Sequence, residues 1–161
     1  MAFFKGKFSS NKQEWATPID LFKKIDEEFH FTLDLAADCS NTKCEKYFSE
    51  KDDSLKQNWD GVCWLNPPYG SKEYKLENWI KKAYNESLKE NNIIVMLIPA
   101  RTNTKWWHKY CMTSSEIKFI CGRPKFGDAK HGLPQPLALI VFKNHDEQTI
   151  FSSFYIDGMR K

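Results

Sequence analysis

The sequence lacks any apolar run of the roughly 18–20 residues that a membrane-crossing helix needs. Its strongest apolar stretches, such as Ile93 to Ile98, are of strand length. The start, Met1 to Lys7, has neither a long apolar segment nor a small-residue cleavage site, so no secretory signal is expected. Paired cysteines are missing too. The five (Cys39, Cys44, Cys63, Cys111, Cys121) are an odd number without a repeated Cys-x-x-Cys, which speaks against a disulfide framework or a zinc ribbon. Cys39, Cys44 and His30 are too loosely spaced for a metal site, and Cys63 and Cys121 sit inside apolar runs as core thiols. Internal repeats and low-complexity linkers are absent. The expectation is a cytosolic, reduced, metal-free protein with no membrane partner.

What the chain does have is an apolar fraction of 41% with 15% aromatics in 161 residues, enough for one domain with a real core. Its net charge of +3 neither demands nor excludes a polyanion, but the charge is uneven. Residues 1–100 carry 14 basic and 16 acidic side chains, whereas 101–131 carry seven basic and two acidic. Focused positive charge attracts phosphate backbones, although a solvated lysine face has the same composition.

Periodicity places helices after Thr17-Pro18, over 75–89 and over 104–112. Strands are expected at 31–35, near Tyr47-Phe48, at 62–65, 93–98 and 116–121. A last strand is expected at 137–142, of antiparallel sense. The segment 122–136, rich in Gly and Pro, reads as a mobile loop. Alternating strands and helices imply an α/β fold with a mainly parallel sheet. Ligands of such sheets bind at the carboxyl ends of the strands. That rule selects 34–38, 66–70 and 99–101.

One of these strand ends carries a sharp signal, Asn66-Pro67-Pro68-Tyr69. Two prolines stop the strand and fix the backbone. They donate no N–H, so their carbonyls and the Asn66 amide oxygen are acceptors with few competing donors. Converging acceptors suit a planar amino group that must be oriented for attack. Tyr69 adds a flat face on which an extruded base can stack.

Asn-Pro-Pro-Tyr resembles the catalytic motif of amino-methyltransferases that use S-adenosylmethionine. Further segments fall in order around it: Trp15-Ala16-Thr17-Pro18, residues 31–38, Trp59, residues 97–102, Gly122-Arg123-Pro124-Lys125-Phe126, and residues 137–142. Together, over about residues 14–143, they resemble the small phage-type DNA N-6-adenine methyltransferases, the Dam family. Where the larger methyltransferase group has a glycine-bearing loop, this chain has Leu35-Ala36-Ala37-Asp38.

The resemblance implies a Rossmann-like methyltransferase fold, S-adenosyl-L-methionine as cofactor, and methylation of adenine N6 in double-stranded DNA. It implies a phage- or prophage-encoded protein acting in the bacterial cytoplasm, with no obligate protein partner evident. Asn66 and the Pro67 carbonyl would accept from the amine, and Pro68 would stiffen the turn. Tyr69 would stack on the flipped base. Trp15, Thr17 and Pro18 would cover the methionine end of the cofactor. Asp34 and Ala36 would lie beside it, and Asp53 on its adenine side. By residue type alone, Thr17 also fits a helix cap, and Asp34 and Asp53 fit ordinary loop carboxylates. Arg101, Lys105, Lys109, Arg123, Lys125 and Lys130 would contact phosphates. Trp106 and Trp107 fit core, wedge or stacking roles. A core of this kind uses 1–161 as a single domain, leaving no separate target-recognition domain. Two other readings share these features: an amino-methyltransferase acting on protein glutamine or RNA guanine, and a non-catalytic nucleic-acid-binding module on a decayed methyltransferase fold.

Overall fold

The computed structural model describes residues 16–69, 75–127, 131–144 and 147–156. Among them, seven strands form one sheet. In chain order the elements are α1 (Ile19–Phe29), β1 (Leu33–Asp34), β2 (Lys46–Tyr47), β3 (Val62–Leu65), α2 (Leu76–Ser87), β4 (Ile93–Pro99), α3 (Lys105–Lys109), β5 (Glu116–Cys121), β6 (Leu137–Lys143) and β7 (Ile150–Tyr155). The strand order is β2-β1-β3-β4-β6-β5-β7. Six strands run one way, and β6 alone runs antiparallel to both its neighbours, β4 and β5.

The apolar run over β4 reads without alternation because both of its faces are covered. Ile94, Met96 and Ile98 face a core shared with Leu76, Trp79, Ile80 and Ala83 of α2. Val95 and Leu97 face the other core, where Leu21, Phe22 and Ile25 of α1 pack with Trp64 of β3. Phe22 meets Trp64 edge-on at 5.4 Å between ring centroids, which suits the quadrupoles of both rings. Removing a buried ring of this kind from a core costs roughly 3–5 kcal/mol, so this contact is a main reason α1 stays on the sheet. A partly buried ion pair adds direction to that docking. Lys118 on β5 reaches both carboxylate oxygens of Glu28 at 2.5 and 2.6 Å.

Three expectations change. The strand at 137–142 is antiparallel but not last, because β7 follows it as an edge strand beside β5. The helix expected over 104–112 shortens to α3 and a separate 3-10 turn at Cys111–Thr113. The 122–136 segment is anchored among the residues described there: Phe126 is buried in the α1-side core, and the Leu133 N–H donates to the Pro124 carbonyl. Gly132 lies so close to Arg123 that a Cβ there would sit 2.3 Å from the Arg123 carbonyl oxygen.

The crossover from β1 to β2 contains no helix. Parallel neighbours usually need a dozen or more connecting residues, most often helical. Here residues 35–45 suffice, because buried Asp34 ties them down. Its Oδ1 accepts from the Ala36 N–H at 3.3 Å and its Oδ2 from the Lys43 N–H at 3.0 Å. Asp38 holds the outer bend, accepting from the Ser40 N–H and hydroxyl.

Candidate active site

The pairing register sets three strand ends side by side. Asp34 pairs with Trp64, and Leu65 with Met96. One residue further on, β3 delivers Asn66 next to Leu97 of β4. Pro67 and Pro68 then turn the chain, and Tyr69 folds back so that its hydroxyl lies 2.6 Å from the Leu97 carbonyl and 2.7 Å from Asn66 Oδ1. Its single proton is shared between these two acceptors. The ring is half-buried and packs against the α2-side core, and burial pushes the phenol well above its usual range. The plane of Tyr69 is therefore fixed at both ends, by core contacts and by its hydroxyl.

Thr17, expected at the cofactor, lies against the motif. It is buried, and its hydroxyl oxygen accepts from Asn66 Nδ2 at 3.1 Å. This bond turns the Asn66 amide so that its oxygen faces the Tyr69 hydroxyl. Pro18 supplies the extended residue from which α1 starts. The Ala16 carbonyl accepts from the Gly127 N–H at 3.3 Å, so the 122–127 segment lies against the start of the described chain.

The β1 end of the same sheet edge opens into a pocket lined by Leu35, Ala36, Phe48, Asp53, Ser54 and Trp79 with their neighbours. Ala36 and Asp53, expected at the cofactor, are thus brought together. Asp34 is not in its lining. Burial raises its carboxyl from 3.8 to about 6, against the pull of the Lys43 and Ala36 N–H groups. It fixes the loop that carries Ala36. Asp53 takes a left-handed conformation and pairs with Lys56 at 2.7 Å.

Arg101 is exposed immediately beyond β4, and Lys105, Lys109, Arg123 and Lys125 are exposed as well. Lys118 leaves this set of available charges, since Glu28 and Glu116 neutralise it. Trp107 is buried while Trp106 is only partly so. Trp15 and Lys130 lie outside the described residues. Burial pushes the Cys63 and Cys111 thiols up to about 12, which makes them poor nucleophiles. No helix among the described residues is long and apolar enough to cross a membrane.

Sequence reasoning passed over Ser54, Trp79 and Glu86. By spacing alone, Trp79 belongs to the apolar face of α2 with Leu76, Ile80 and Ala83. Glu86 breaks that face, and its flanking Lys82 and Lys89 at helical spacing were a legible sign of a buried carboxylate held by two cations.

The chain is similar to known proteins. The family model described as DNA N-6-adenine-methyltransferase (Dam) matches residues 7–155. A DNA N-6-adenine-methyltransferase of Haemophilus phage HP1 (strain HP1c1) is 32% identical over 114 residues, covering 69% of this chain and 64% of the relative. One of Escherichia phage T1 is 34% identical over 109 residues, covering 66% of this chain and 44% of the relative. The chain thus spans just under two thirds of the first relative's length and less than half of the second's. With nearly its whole length matched by one family model, the chain belongs to the DNA N-6-adenine-methyltransferase (Dam) family.

Proposed function

We propose that this protein transfers a methyl group from S-adenosylmethionine to the exocyclic N6 of adenine in double-stranded DNA. The observation that carries the reading is the Thr17–Asn66–Tyr69 cluster at the adjoining ends of β3 and β4, in a chain of this family.

Each group has a task in this reading. The adenine amine is a weak nucleophile because its lone pair is delocalised into the ring. Acceptors on its N–H bonds favour charge build-up on nitrogen during attack. Asn66 Oδ1 and the Pro67 carbonyl are those acceptors. Thr17 holds the amide of Asn66 in the accepting orientation, which makes it a positioning residue. The exposed side of the Tyr69 ring is the stacking surface for the flipped base. Because core and hydroxyl contacts hold the ring, little order is lost when the base arrives.

The pocket at the β1 end suits S-adenosylmethionine. Ala36 and Ala37 allow close backbone approach, Phe48 and Leu35 are apolar walls, and Asp53 and Glu50 supply carboxylates. When bound, the cofactor supplies a methyl group on a positively charged sulfonium, open to direct attack by a neutral amine. Carboxylates near such a cation are favourable. The buried Cys63 and Cys111 thiols have no part. Positioning and electrostatics provide the acceleration. Arg101, Lys105, Lys109, Arg123 and Lys125 contact phosphates and give affinity without reading sequence.

Transfer of labelled methyl to duplex DNA, to RNA and to protein, compared side by side, tests the proposal. Label in N6-methyladenine of duplex DNA is expected. Label confined to RNA or protein would overturn the substrate, and no label with any acceptor would overturn the activity.

A further inference from the structure

Two buried polar atoms among the described residues have no hydrogen-bond partner, Trp79 Nε1 and Ser54 Oγ. Both residues are more than nine-tenths buried, and both line the pocket at the β1 end. A buried donor without a partner forfeits its hydration and costs roughly 1–3 kcal/mol. Two such atoms, on residues that line one pocket, point to a ligand that completes them.

The surroundings show how these atoms are held. The Trp59 Nε1–H donates to the Ser54 carbonyl at 2.8 Å, and the Trp59 ring stacks on Trp79 with centroids 6.3 Å apart. Trp59 therefore joins the two orphaned residues. It is itself fixed from behind. Its backbone N–H donates to Glu86 Oε2, its carbonyl accepts from Asn92 Nδ2, and Lys82 Nζ lies 5.5 Å from its ring centroid. Burial works against the Glu86 charge. Lys82, Lys89 and the Trp59 N–H outweigh it and hold the carboxyl below its ordinary range. Trp59, Glu86, Asn92 and Lys82 thus help hold Ser54 and Trp79 in place, although neither orphaned atom bonds to the protein.

Resting on the proposed function, we infer that Trp79 and Ser54 recognise the adenosyl end of the cofactor. The Trp79 indole can only donate, so it matches a lone-pair acceptor such as a purine ring nitrogen. The Ser54 hydroxyl can donate or accept. Ala36 and Phe48 flank the same space with small and flat apolar surface, and Asp53 offers a carboxylate to hydroxyls or to an exocyclic amine. A fused heteroaromatic ring bearing a sugar satisfies all of these groups together.

Trp79→Phe and Ser54→Ala test this, with thermal melting and calorimetric titration of S-adenosylhomocysteine. Phe keeps an aromatic ring against Trp59 but loses the five-membered ring together with its N–H, so the free Trp79→Phe protein should melt slightly lower because of the buried volume lost. Its Kd for S-adenosylhomocysteine should rise about tenfold, the equivalent of one hydrogen bond. Ser54→Ala removes one unpartnered hydroxyl and little volume, so it should weaken binding several-fold without loss of stability. Wild-type affinity in both variants overturns the inference and leaves the proposed function standing. Loss of affinity in Ser54→Ala accompanied by a lower melting temperature also overturns it, because Ser54 would then be structural. Failure of the wild-type protein to bind S-adenosylhomocysteine would overturn the proposed function itself.

Discussion

Replacing Asp34 with asparagine should stabilise this protein at neutral pH. The carboxyl is buried, and its pKa rises from 3.8 to about 6 because burial outweighs the two backbone N–H groups that favour its charge. Between about pH 4 and pH 6 the folded state binds a proton that the unfolded chain has already released. The unfolded state then holds fewer protons, so stability falls as pH rises through this window and is flat above it. A shift of this size corresponds to about 3 kcal/mol. Asparagine resembles the protonated acid: one oxygen remains to accept from Lys43 or Ala36, and the charge is gone. Asp34→Asn should therefore match the wild type near pH 4 and exceed it at pH 7 by up to about 3 kcal/mol. For a chain of this length, that is a rise in melting temperature of roughly 6–12 °C. Melts followed by circular dichroism from pH 4 to pH 8 would show two curves that diverge upward in pH. The reasoning is refuted if the variant is less stable at every pH by a constant amount. The two hydrogen bonds would then outweigh burial.

Two further predictions concern the site and its surface. Thr17→Val should free the Asn66 amide to rotate, lowering kcat about tenfold or more with little change in cofactor Kd; an unchanged kcat would remove Thr17 from the positioning role. Replacing Lys105, Arg123 and Lys125 together with alanine should reduce the slope of log affinity for duplex DNA against log salt by about 2.7, at about 0.9 per phosphate contact. Binding titrations across a salt series measure it, and an unchanged slope would separate these cations from the phosphates.

Much of the fold was legible because apolar periodicity reports burial directly. The uniform run of β4 and the helical spacing of Leu76, Trp79, Ile80 and Ala83 led to the right faces. The antiparallel sense of β6 followed from the turn-rich approach to it. β7 escaped for the opposite reason. Phe151-Ser152-Ser153-Phe154 does not alternate, and an edge strand buries too little to enforce a pattern. The motif at 66–69 was visible because its chemistry is local. Thr17 was visible as a residue but not in its contact, since its bond to Asn66 spans 49 positions. The basic segment overstated the available charge, because Lys118 and Glu28 are 90 positions apart and their pairing depends on how α1 docks. Trp79 looked like any core tryptophan. Only an indole N–H with no partner marks it out, and that is a property of the folded pocket.

The central claim is that Asn66 holds the amino group that receives the methyl. The most direct measurement is single-turnover transfer of labelled methyl to duplex DNA by wild type and Asn66→Ala, with cofactor affinity measured on the same samples. The account predicts N6-methyladenine from the wild type and a loss of at least about a hundredfold in the variant. Cofactor Kd should change little. Transfer by Asn66→Ala at the wild-type rate would contradict it.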